Sequence, residues 1–242
     1  METELFFQIV MVLPILSSSA FLFFALPYTI CAWRDSDITA PFKIQKKRMP
    51  ASRVVLPSLR SLALNTLAAI GAAILLWPLI SISGIHLEGM PSVFEVLWQL
   101  PIFAIVDDLV YYWIHRALHT SWLYRHVHSV HHSMSAPWAI AGGYFHPLEY
   151  VLILFCSGAG PIVFGAHIVT IWIWIVIRQW GAAYGHSGYV FPWHIGAWFP
   201  LAPTPAYHDS HHSKCNGNYA NYFPILDRVF GTELKKDAPG GH

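Results

Sequence analysis

From Phe6 to Ala32 the chain runs for 27 residues without one Asp, Glu, Lys or Arg. No other feature limits the possible folds as much. A helix of about 20 apolar residues crosses the hydrocarbon of a bilayer, and there the backbone must satisfy its own hydrogen bonds. This stretch has no basic leader and no small-residue cleavage site, so it reads as a retained helix and not a signal peptide. Similar windows follow at Leu62 to Ile82, about Ser92 to Ile114, Leu148 to Phe164 and Ile168 to Tyr184. The last two flank Gly165, Ala166 and His167 and form a hairpin of short arms. Only 11% of the residues are charged and 55% are hydrophobic, whereas soluble domains carry about 25% charge. The expected fold is all-α: an integral membrane protein of four or five transmembrane helices.

Charge placement orients these helices. Seven of the 14 Lys and Arg lie between Arg34 and Arg60, and the positive-inside rule puts that loop in the cytosol. Counting spans from there, every histidine-rich segment falls on the same side as the basic loop and forms a cytosolic helical cap. Asp107 and Asp108 are costly at membrane depth, so they are expected near the interface or facing the protein interior. A net charge of +1, with few basic residues beyond the loop, gives no surface for nucleic acid. Cys31, Cys156 and Cys215 are an odd number without CxxC spacing, which fits a reducing compartment and suggests neither a disulfide framework nor a thiolate zinc site.

Three clusters carry the chemistry: His115-Arg-Ala-Leu-His119, His128-Ser-Val-His131-His132 and His208-Asp-Ser-His211-His212. Residues three and four apart share a helix face, so each cluster is expected to aim its imidazoles at one point. Four ligands complete a structural zinc, and eight histidines require two metals. His186 in Gly-His-Ser-Gly-Tyr and His146 in Phe-His-Pro-Leu-Glu extend the candidate ligand set to ten. His86, His126, His167, His194 and His242 read as interfacial or hydrogen-bonded residues. Asp107, Asp108, Glu149 and Asp209 suit the far ring N–H of a ligating histidine, and equally suit helix capping or solvation.

These motifs and their flanks, including His146-Pro-Leu-Glu149, His186-Ser-Gly-Tyr-Val-Phe-Pro-Trp193, Asn216-Gly-Asn218-Tyr and Leu226-Asp-Arg-Val-Phe-Gly-Thr232, resemble the fatty acid hydroxylase superfamily. The similarity is to its sterol C4-methyl oxidase and cholesterol hydroxylase branch in particular and covers roughly Val106 to Thr232. It implies two iron ions in a non-haem centre and O2 as oxidant. It also implies electrons from NAD(P)H through a reductase or small haem carrier, and the endoplasmic reticulum membrane if the source is eukaryotic. One membrane domain is expected, with N-terminal helices in 1–105, a catalytic region in 106–232 and a tail in 233–242.

An aliphatic C–H bond offers no acidic proton and no electrophilic carbon, so acid/base groups and nucleophiles cannot attack it, whereas a metal-activated oxidant can take its hydrogen atom. The expected activity is hydroxylation of a lipid, sterol or isoprenoid-like substrate drawn from the bilayer, with desaturation or multistep methyl oxidation as alternatives within the family. Trp138, Tyr144, Phe191, Trp193, Trp198 and Phe199 either line its access route or anchor the membrane interface. A bis-histidine haem carrier is a distant alternative, disfavoured by the doubled His131-His132 and His211-His212. A zinc protease would need His-Glu-x-x-His, which is absent.

Overall fold

The computed structural model describes residues 2–46, 49–136, 138–193 and 204–234. Among these the fold is helical throughout, with two isolated β-bridges and no strand. The long helices are α1 (Glu2–Arg34), α2 (Ala51–Ile80), α3 (Val93–Leu118), α5 (Pro147–Phe164) and α6 (Ile168–Gly185). Between them lies α4 (121–132), which passes through a π-turn at Tyr124–His128. Two short helices, α7 (Pro205–Lys214) and α8 (Ile225–Val229), complete the cap.

Each expected apolar window is a helix, but α2 begins well before Leu62, at Ala51. Arg53 and Arg60 lie within it, because charge at an interface does not stop a helix. Pro50 in extended conformation does set its start. α1, α2 and α5 are long and apolar enough to cross a membrane. Only 11% of the apolar window of α2 is buried, and Leu64, Leu67, Leu75 and Leu79 stand exposed, a face that needs lipid and not water.

α3 and α6 carry the charges and bury them against each other. Arg178 of α6 donates from Nε and Nη2 to Asp107 of α3 at 3.2 and 3.3 Å. Asp107 is thus an ion-pair partner and not a histidine acceptor. Gln179 donates to Ser17 of α1 at 2.7 Å. Pairing of this kind lets polar residues sit at membrane depth. α3 also approaches α5 closely, since a Cβ on Gly160 would stand 2.8 Å from the Phe103 ring; small residues let membrane helices pack in this way.

The two ends of the bundle differ. At one, loop 81–92 meets 165–167 through the bridge between His86 and His167, over a core that includes Leu5, Ile9, Ile85 and Ala166. At the other, Lys43 bridges Tyr189, and Gln45 donates to the Ser135 carbonyl and to Asp209 at 3.0 and 2.8 Å. The basic loop and the histidine clusters therefore share one end, as the charge pattern requires.

Candidate metal centre

Nine histidines converge at that end in two groups. His115, His119, His128, His132 and His211 form one, and His131, His186, His208 and His212 the other; within each, the ligand nitrogens lie within 4.8 Å of one another. Neighbouring Nε2 atoms are 2.9 Å apart for His119 and His128, 3.0 Å for His128 and His132, and 3.0 Å for His132 and His211. In the second group the spacings are 3.2 Å for His131 and His186, 2.9 Å for His186 and His208, and 3.1 Å for His208 and His212. The groups adjoin, with the His132 and His212 rings 4.8 Å apart.

The expectation of one point per cluster is corrected by this arrangement. Successive helical residues turn by about 100°, so i and i+4 share a side that i+3 leaves. In the second box His128 and His132 face the five-nitrogen group while His131 faces the other. The third box reverses this, with His208 and His212 in the four-nitrogen group and His211 in the five. His115 and His119, one turn apart at the end of α3, both serve the first group. His186 closes α6 and enters the second, and Gly142 leaves it room, since a Cβ there would stand 2.8 Å from Nδ1.

The far nitrogens fix the chemistry. The Nδ1 of His115, His119, His131, His186 and His211 lies against the carbonyls of Tyr219, Cys215, Tyr144, Ala182 and Gly217 at 2.7 to 3.1 Å. A carbonyl only accepts, so these rings carry their proton on Nδ1 and present a bare Nε2 lone pair. Burial holds His186 at a pKa of about 4, and burial with neighbouring rings pushes His131 well below the ordinary imidazole range. Both are neutral, and their 3.2 Å contact sets two lone pairs against each other. Such a contact repels unless a cation stands between. Two nitrogens each about 2.1 Å from one ion and at right angles stand about 3.0 Å apart, against about 3.4 Å in a tetrahedron. The observed spacings of 2.9 to 3.2 Å fit the right-angled arrangement. His115 Nε2 is buried without a hydrogen bond, as a nitrogen reserved for a metal would be. The donor set fits two metal ions.

The other candidates are placed as follows. His146 lies outside both groups; its Nδ1 caps α5 by accepting from Leu148 N–H at 3.2 Å. Glu149 meets Nδ1 of His128 at 2.7 Å, the carboxylate support expected of it. Asp108 accepts instead from the Asn221 and Tyr222 N–H groups at 2.9 and 2.7 Å. Asp209 accepts from Gln45, and burial lifts its carboxyl to a pKa of about 6. Trp138 is buried, and Phe191 and Trp193 stack with ring centroids 5.1 Å apart. Trp198, Phe199, His194 and His242 lie outside the described residues.

Residues that the histidine pattern did not mark hold these rings in place. Gly217 has φ of +98°, and a Cβ there would stand 2.5 Å from the Thr232 carbonyl; its own carbonyl serves His211. Asp227 accepts from Tyr219 and Ala220 N–H and from the hydroxyls of Tyr207 and Thr232 at 2.6 to 2.9 Å. It thereby fixes the segment whose Tyr219 carbonyl meets His115. The signal was present in the flanking Asn-Gly-Asn-Tyr and Leu-Asp-Arg motifs, whose role only the fold reveals.

A helical bundle with membrane-length helices and a paired nine-histidine site that could hold metal defines a class of membrane protein. The fatty acid hydroxylase family model matches residues 100–232. The chain is 35% identical over 198 residues to a very-long-chain aldehyde decarbonylase of Oryza sativa subsp. indica, covering 80% of this chain and 74% of that one. It is 34% identical over 198 residues to one methylsterol monooxygenase of Arabidopsis thaliana, covering 79% and 68%. With another it shares 40% over 147 residues, covering 60% and 55%. No solved structure gives a significant match. The chain belongs to the fatty acid hydroxylase family.

Proposed function

We propose that this protein is a membrane di-iron oxygenase that hydroxylates an unactivated C–H bond of a lipid or sterol-like substrate. The observation that carries the reading is the lone-pair contact between His131 and His186, repeated around both groups at right-angled ligand spacing. His115, His119, His128, His132 and His211 would hold one iron, and His131, His186, His208 and His212 the other. Bound iron supplies the power to activate O2 toward a C–H bond. The balance consumes the substrate, O2, two electrons and two protons, and yields the alcohol and water.

This chain's own residues set the conditions. The carbonyls behind Nδ1 orient the rings and fix the tautomer. Phe145 stacks on His131 with centroids 4.3 Å apart and shields the four-nitrogen group. The electrons come from NAD(P)H through a reductase or small haem carrier that reaches the histidine end, which faces the cytosol beside the basic loop. In a eukaryotic cell the membrane is the endoplasmic reticulum. α3 and α6, their charges neutralised by Asp107 and Arg178, join the three apolar helices to make five spans. The Oryza relative supports a second reading, in which a long-chain aldehyde is the substrate and a hydrocarbon the product.

Metal analysis of detergent-purified protein, with product analysis after supplying reductant, O2 and a panel of sterols, fatty acyl lipids and long-chain aldehydes, tests both. About two irons per chain, lost in His131→Ala/His132→Ala, with an oxygenated product is expected. Haem absorbance, or turnover without metal, would overturn the proposal, and hydrocarbon release would select the second reading.

A further inference from the structure

A cavity of about 300 Å³ lies beside the histidine rings between α3 and α6. Both helices line it. On α3 the lining residues are Leu100, Ala104 and Tyr111, spaced four and seven residues apart and so on one face, and the same face continues to His115 of the five-nitrogen group. On α6 the lining runs from Trp174 to His186 of the four-nitrogen group. At 1.5 Å per residue, Leu100 to His115 spans about 22 Å, a length that suits a lipid tail or a sterol skeleton.

Most polar groups in the wall are already engaged. Arg178 is paired with Asp107, Gln179 donates to Ser17, and the Tyr207 hydroxyl donates to Asp227 at 2.6 Å. The hydroxyl of Tyr222 is sealed within the protein. Tyr111 differs. It lines the cavity, no hydrogen bond to a described residue engages its hydroxyl, and its ring stands 5.0 Å from the His115 ring, a proposed metal ligand.

We propose that Tyr111 is a specificity-determining residue whose phenol binds an uncharged oxygen, a hydroxyl or carbonyl, carried by the lipid near the carbon that is oxidised. The assignment rests on the oxygenase reading above. A carboxylate is disfavoured, because the positive charge in the wall, Arg178, is already neutralised by Asp107. The substrate is then a lipid alcohol, aldehyde or ketone and not a free fatty acid, and a hydrocarbon lacking the oxygen binds without its anchor.

The test uses purified metal-loaded protein in mixed micelles and two matched pairs of probes, cholestanol with cholestane and hexadecanol with hexadecane. Affinity is read from the ligand-dependent shift of thermal unfolding, which does not depend on turnover. A neutral hydrogen bond in such a site corresponds to about fivefold to tenfold, so the alcohol of at least one pair is expected to bind that much more tightly than its hydrocarbon. Tyr111→Phe should abolish the preference with both metals retained, whereas Tyr222→Phe should keep it. Equal binding within both pairs by the native protein, or a preference that survives in Tyr111→Phe, overturns the assignment. Metal content separates the two proposals: a protein without metal that still prefers the alcohol through Tyr111 fails as an oxygenase and leaves this assignment standing.

Discussion

Histidines pair at both ends of the bundle with rings equally close. His86 and His167 stand 5.2 Å apart, edge to face, at one end; His131 and His186 stand 5.1 Å apart in the same manner at the other. The difference is where the proton sits. His167 Nδ1 accepts from Val169 N–H at 3.2 Å, so its proton is on Nε2 and no lone pair remains there. His146 caps α5 in the same way. His131 and His186 donate from Nδ1 to carbonyls and keep Nε2 bare. Ring proximity is the same in the two pairs; the partner of the far nitrogen decides which rings keep a bare Nε2.

The contrast is open to attack, and the strongest attack is on the ligands themselves. His186→Ala should release at least one ion per chain and lower substrate oxidation by more than about 100-fold, measured by metal analysis and product yield; full metal retention would break the comparison. Removing the support behind a ligand should cost less. Glu149→Ala, which strips Nδ1 of His128 of its carboxylate, should weaken metal retention by about 10- to 100-fold in a chelator competition.

A third test is acid. Burial, with the His119 ring adding to it at His132, holds His119 at a pKa of about 4 and His132 at about 3, against about 6.5 in the unfolded chain. The unfolded chain therefore takes up protons first. Metal-free protein should lose stability as pH falls from about 6.5 to 4, by about 1.4 kcal/mol per pH unit for each such histidine, with no dependence from these groups above about 6.5. Unfolding midpoints of chelator-treated protein across that range check the sign.

The smallest effects belong to the capping histidines. His146→Ala and His167→Ala should each keep both metals and cost about 1 kcal/mol of cap stabilisation, visible as a small drop in the unfolding midpoint. Loss of an ion from His146→Ala would return that residue to the ligand set.

Much of this was legible in the order of residues. The apolar windows mark the long helices, because a bilayer-sized run leaves few other solutions, and the three boxes mark the histidines that the fold brings together. His146 stood beside them as a candidate because the residue order does not say which ring nitrogen faces the backbone; the fold places it outside both groups. Of the four carboxylates that suited either a ligating histidine or capping and solvation, Glu149 meets a histidine Nδ1 among the described residues. Asp107, Asp108 and Asp209 are turned to Arg178, to backbone N–H groups and to Gln45. Most of the support comes from the carbonyls of Tyr144, Ala182, Cys215, Gly217 and Tyr219. Every residue has a carbonyl, so no residue type advertises one. Its placement depends on turns such as the one at Gly217, whose meaning emerges only when 216–232 folds back beneath α3.

The crossed allegiance of the doubled histidines has a consequence for assembly. His131 and His132 are neighbours in the chain yet serve different groups, as do His211 and His212. A turn of helix that frays at either box loosens both centres together, so neither can be filled or emptied as an independent unit. Metal uptake should be sigmoidal, and a half-loaded chain should be scarce at every stage of a titration.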